Sequence, residues 1–125
     1  MPRLIAAYPI SDEDLAALPV KAIGPAVDYY QKVLRFAVAR RVDDAATVER
    51  DGVKLGVVAD THHDPGKAGS IAIRVDDLEE LHRELVKAGA EPGEFGVDEW
   101  DGKAHRTFFV REAENGYCYC FFAPV

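Results

Sequence analysis

The chain is short of cysteine, of positive charge and of long apolar runs, and each shortage excludes something. Cys118 and Cys120 are its only cysteines in 125 residues, too few for a disulfide framework. Two apart on one extended stretch, they are also poorly placed to bond to each other. A reducing, cytoplasmic setting is therefore expected. Fifteen Lys and Arg against 22 Asp and Glu give a net charge of −7, without the basic patch that phosphate neutralisation needs, so no nucleic-acid partner is expected. An acidic surface serves solubility first and attraction of a cationic ligand second. The opening "MPRLIAAYPISDEDL" has one Arg and a brief apolar run, too short for a secretory signal or a bilayer span. No membrane association is expected. No charged or Pro/Ser-rich linker interrupts the chain, and a hydrophobic content of 48% suits one compact core.

What is there is a repeat. "GPAVDYYQKVLRF" opens on Gly24-Pro25, a favourable helix start because proline at the first helical position loses no needed hydrogen bond. Ile23, Ala26, Val27, Tyr30, Val33 and Leu34 then recur at helical spacing. Three strand-like runs follow, "FAVARRVDD", "ATVERDG" and "VKLGVVAD", with a hairpin turn at Asp51-Gly52. After the polar "THHDPGKAG" the order begins again. "SIAIRVDD" reads as a strand, and "LEELHRELVKAGA" as a helix with Asp77 as N-cap, Glu80 three residues on and Gly89 at its end. Extended runs near "EPGEFGVDEW", "HRTFFVRE" and "YCYCFFAPV" complete it, and "LAALPVK" ahead of the first helix matches "SIAIRVDD".

The pattern predicts an α+β fold of two βαβββ modules, over about 15–60 and 68–123 of a single domain at 15–125. One helix per four strands covers one face of a sheet and leaves the other open. Two such modules should form a curved mixed sheet with a concave pocket, a common setting for small-molecule sites. Residues 1–14 form an N-terminal extension with an extra strand and helical turn.

The closing "FFVREAENGYCYCFFAPV" reads as a hairpin about Asn115-Gly116, both residues tolerating the positive φ of a tight turn. Alternation then puts Cys118, Cys120 and Phe122 on one face and Tyr117, Tyr119 and Phe121 on the other. A row of thiols there can be a metal site, a redox pair or plain lining.

The doubled module and its phrases resemble the vicinal oxygen chelate superfamily: glyoxalase I, extradiol dioxygenases, and bleomycin-resistance and related antibiotic-binding proteins. "LPVKAIGPAVDYYQKVLRF", "IAIRVDDLEELHRELVKAGA" and "GKAHRTFFVREAENGYCYCFF" are similar to its opening, middle and closing phrases, over residues 15 to 123. Arg35 stands where the family has a glycine, which suggests that the first helix ends differently here. The resemblance implies a homodimer, and some antibiotic-binding relatives exchange an N-terminal strand, a role open to residues 1–14.

Metal-dependent members place His, Gln or Glu at four cavity-facing strand positions. Fitted to that pattern, the chain has Leu15, Gly56, Ser70 and Cys120 there, so neither a catalytic metal nor another cofactor is expected. The resemblance is then strongest to the bleomycin-resistance-like branch: sequestration of a small organic ligand, antibiotics included, with Trp100 in the groove. The aromatic clamp of those binders is incomplete, since Arg40 and Ala45 occupy its positions. Expected ligand contacts are Trp100, His105, Arg106, Cys118, Cys120, Ser70, Arg74 and Gly56. The alternatives are a glyoxalase- or dioxygenase-like enzyme, with an atypical metal or with acid/base chemistry by His105, Arg106 and a cysteine, and a module used only for dimerisation. His62 and His63 read as loop residues, and His82 as an exposed helix residue.

Overall fold

The computed structural model describes residues 2–125; Met1 lies outside them. Nine strands and two helices follow in the order β1 (Leu4–Pro9), β2 (Leu18–Val20), α1 (Ile23–Lys32), β3 (Ala37–Arg41), β4 (Ala45–Arg50), β5 (Val53–Ala59), β6 (Ser70–Val75), α2 (Leu78–Lys87), β7 (Gly96–Trp100), β8 (Lys103–Arg111) and β9 (Cys118–Pro124). A single 3-10 turn at Pro65–Lys67 precedes β6.

The two modules have the same strand order, β2-β5-β4-β3 in the first and β6-β9-β8-β7 in the second. In each, the strand before the helix runs parallel to the last strand and the other pairings are antiparallel. The expected single curved sheet is two mixed sheets of four and five strands, the fifth being β1. This N-terminal strand pairs antiparallel with β6 of its own chain, Ala7 opposite Ile73 and Tyr8 opposite Ala72. The segment that follows is turn and bend, with no helical turn.

Each helix covers one face of its sheet. Ile23, Ala26, Val27 and Tyr30 of α1 share a core with Val48, Leu55 and Val57. Leu78, Leu81 and Leu85 of α2 join Ile71, Ile73, Phe108, Tyr119 and Phe121 in that same cluster. Two polar ties bind the modules within it. The Tyr30 and Tyr119 hydroxyls hydrogen-bond to each other, and the buried Arg50 guanidinium meets Glu84 of α2 at 2.8 Å while donating to the carbonyls of Leu34 and Pro2. No helix among the described residues is long and apolar enough to cross a membrane.

Local chemistry explains most boundaries. The Asp77 carboxylate accepts from the Glu80 N–H at 3.1 Å, so α2 is capped as its sequence predicts, and Gly89 follows with φ +89°. The Asp51-Gly52 hairpin has both residues at positive φ, 53° and 86°, the geometry of a two-residue turn. Two expectations need correction. Arg35 does not change the end of α1; it takes the left-handed conformation itself, at φ 61°, and the Phe36 N–H reaches the Tyr30 carbonyl. Asn115 does not sit at positive φ in the β8–β9 turn, where only Gly116 does. Asn115 is buried instead, its N–H donating to the Glu112 carboxylate and its Oδ1 accepting from the Lys21 N–H, 94 residues away in sequence.

Candidate functional site

The five-stranded sheet has a face that α2 does not cover, and its composition follows from register. Tyr8 lies beside Ala72, Ala72 beside Cys120 and Cys120 beside Phe109, one row across four strands. The next row holds Ala6, Arg74, Phe122, Thr107 and Gly96. Alternation brings His105 to this side with Thr107, and Trp100 with Asp98. Part of this face bounds a groove of about 880 Å³, with Tyr8, Ile10, Trp100 and Phe122 among its walls and Arg74, Lys103 and Asp101 as its charged groups.

The aromatic wall is ordered by stacking. The Trp100 indole lies flat on the His105 imidazole, centroids 3.8 Å apart and planes within 3°. Phe122 meets both rings edge-on, at 5.2 and 5.6 Å. Such offset and T-shaped pairs are each worth about 0.5–1.5 kcal/mol beyond burial, so the wall is held before a ligand arrives. His105 is buried, and its Nδ1 has no hydrogen-bond partner. Below it, the Thr107 hydroxyl donates to the Asp98 carboxylate at 3.1 Å.

The thiols share this face. Burial pushes the Cys120 thiol up to about 11, with the Asp98 carboxylate adding to the effect. Burial also raises Cys118, against the Arg111 charge and a Ser70 hydrogen bond that pull it down. Both are therefore neutral near pH 7, which disfavours a nucleophilic pair with His105.

The predicted contacts separate into four places. Trp100, His105, Arg74 and Cys120 meet in the groove. Ser70 and Cys118 are register partners on the same face, one row further along; Ser70 is level with Cys118 and not with Cys120. Arg106 and Gly56 lie elsewhere. Arg106 points to the helix side of the sheet, 2.7 Å from the Glu79 carboxylate and 4.0 Å over the Phe95 ring. Gly56 belongs to the other sheet, beside Thr47. Arg40 and Ala45 are on that sheet too. Sequence reading missed Tyr8, Ile10, Asp101 and Lys103. Alternation within "AAYPI" and the Asp101-Gly102 turn, φ 53° and 72°, are the signals that point to them.

The histidines outside the groove have structural partners. His63 stacks on Tyr117, and its Nε2 is 2.7 Å from the Asn115 carbonyl. His82 is half-buried and not exposed as expected: it stacks on Phe95 at 4.8 Å and contacts the Gly93 carbonyl. His62 is exposed.

The profile of the Glyoxalase/Bleomycin resistance protein/Dioxygenase superfamily matches residues 14–120. The chain belongs to this superfamily. Solved structures agree, and several are of its bleomycin-resistance-like branch. A bleomycin resistance determinant encoded on transposon Tn5 superposes with a TM-score of 0.76 at 18% identity, covering 91% of this chain and 98% of that one. The bleomycin-binding protein of Streptomyces verticillus, complexed with copper(II)-bleomycin, gives 0.68 at 26% identity over 90% and 95%. A superfamily protein from Alicyclobacillus acidocaldarius gives 0.72 at 21% over 91% and 92%. No curated protein sequence matches the chain.

Superfamily membership raises the question of a divalent metal, and the donors available here do not fit one. The Leu15, Gly56, Ser70 and Cys120 positions carry an alkyl chain, a hydrogen, a hydroxyl and a lone thiol, at most two weak donors where an octahedral site needs several. At Gly56 a ligand is sterically barred, since a Cβ would come within 2.0 Å of the Ala16 carbonyl oxygen. No group of three or more His, Cys, Asp or Glu suited to a cation occurs among the described residues.

Proposed function

We propose that the protein is a cytoplasmic homodimer that sequesters a small organic molecule in the groove of the five-stranded sheet, with no metal in the site. The observation that carries this reading is a preordered aromatic wall lining the groove, Trp100 on His105 with Phe122 at its edge. Two unpaired thiols fit a reducing compartment. Bleomycin-type antibiotics belong in the first ligand panel because the Streptomyces verticillus relative was solved with one. Nucleophilic chemistry by a groove thiol has less support, as burial holds Cys120 protonated.

Trp100 is the only tryptophan, so its emission reports on the groove alone. Emission should shift or quench, with saturation, for at least one planar antibiotic or aromatic metabolite in a panel that includes metal-free bleomycin. In parallel, metal would be measured per subunit after incubation with excess Zn²⁺, Mn²⁺, Ni²⁺ and Fe²⁺ and desalting. Near-stoichiometric metal that is lost on Cys120→Ala would overturn the reading in favour of a metalloenzyme. Silence of Trp100 across the panel would favour a module used only for dimerisation.

A further inference from the structure

We infer that the ligand of this groove is a flat organic anion, an aromatic ring system carrying a carboxylate or an equivalent acidic group. The inference rests on the groove being a ligand site, as proposed above, and adds the charge of what it takes. Two cations stand over the apolar floor. Arg74 lies in the row between Ala6 and Phe122, and Lys103 begins the strand that carries His105; both line the groove. Neither has a carboxylate within ion-pair distance among the described residues, whereas Arg50, Arg83 and Arg106 each do.

One carboxylate lines the groove against these two cations. Asp101 lines the groove from the exposed turn between Trp100 and Lys103. Asp98 is engaged by the Thr107 hydroxyl. Stacking on Trp100 selects flatness, and the guanidinium of Arg74 presents paired N–H donors to a planar carboxylate. The protein carries −7 overall, so an anion is not drawn by the long-range field; affinity for it has to arise locally, at these cations.

The test uses three probes with one ring system: 2-naphthoate, neutral 2-naphthamide and the protonated amine 2-(aminomethyl)naphthalene, each titrated calorimetrically into the intact chain at pH 7. Naphthoate should bind about three- to tenfold more tightly than the amide, as expected for a charge-assisted contact at a partly solvated site. Arg74→Gln and Lys103→Gln, both at exposed positions, should weaken naphthoate more than the amide and so erase that preference. An amine that binds as tightly as naphthoate or more so, and is weakened by Asp101→Asn, overturns the charge assignment and leaves the groove reading standing. A naphthoate preference untouched by Arg74→Gln and Lys103→Gln together also overturns it. Failure of all three probes to bind overturns both.

Discussion

At the scale of single residues, the chain departs from expectation where a side chain takes a conformation or a partner that composition does not advertise. Arg35 is the clearest case. Its left-handed φ costs roughly 1–2 kcal/mol for a residue with a Cβ, and its side chain is exposed, so nothing buried offsets the strain. Arg35→Gly should therefore raise stability by about 0.5–1 kcal/mol, the relief being reduced by glycine's greater freedom in the unfolded chain. Urea denaturation with an unchanged m-value checks it, and a loss of stability would show that Arg35 makes a contact worth more than its strain. The cysteines give a second prediction. With Cys120 pushed up to about 11, only about one thiol in a thousand is ionised at pH 8. Alkylation by iodoacetamide should be slow at Cys120, faster at the more exposed Cys118, and should rise about tenfold per pH unit between 8 and 10. Mass mapping of the modified peptides separates the two, and rapid labelling of Cys120 at pH 7 would sink the assignment. The face of these thiols was legible from alternation alone. The roles of Asn115 and His82 were not, because each is decided by a partner far along the chain: Lys21 and His63 for Asn115, Gly93 and Phe95 for His82.

At the scale of elements, the repeat was legible because hydrophobic period, the α2 cap and the Asp51-Gly52 turn agreed with one another, which is what specifies a fold, although α1 starts at Ile23 and so puts Pro25 at its third position rather than its first. Strand order in the two sheets, and the split into two sheets at all, depend on pairings that one-dimensional patterns do not encode. The two helices also show how unequal sequence signals are. α2 is preceded by Asp77, which accepts from Glu80, and carries Glu79 and Glu80 in its first turn, whereas Ala22 ahead of α1 caps nothing and α1 has no acidic residue in its first turn. Ala22 is exposed and extended, the backbone state an N-cap needs. Ala22→Asp should add about 0.5–1 kcal/mol, and Asp77→Ala should remove about 1 kcal/mol. Thermal melts at pH 7 should move in opposite directions for the two variants. Repeating them near pH 3 should shrink the gain at Ala22, since a protonated carboxyl keeps a capping oxygen but loses its charge against the helix dipole. A gain undiminished in acid would mean that α1 responds to something other than charge at its N-terminus.

At the scale of the whole molecule, one chain leaves an apolar sheet face open to water. Tyr8, Ile10 and Phe109 are 48%, 52% and 45% exposed, and Tyr8 and Phe109 stand at the two ends of one row across that face. Contiguous apolar surface of this kind usually marks a contact. The sequence pointed to an open face but not to its extent, because Tyr8 and Ile10 reach it only once β1 has paired with β6. The proposed dimer gives that face an occupant, a second copy that would close the groove from above without altering Trp100, His105 or Arg74. Phe109→Glu tests this at a position remote from the groove's charged end. A carboxylate buried without a partner in an interface costs about 3–5 kcal/mol, enough to dissociate a micromolar dimer. In the monomer, the introduced carboxylate would lie at an exposed site, and the melting temperature measured at low protein concentration should change little. Sedimentation equilibrium should thus report a dimer for the native chain and a monomer for the variant, with unchanged far-ultraviolet circular dichroism. A native chain that sediments as a monomer at high concentration would instead leave the face to the ligand, with Tyr8, Ile10 and Phe109 as an extension of the groove floor.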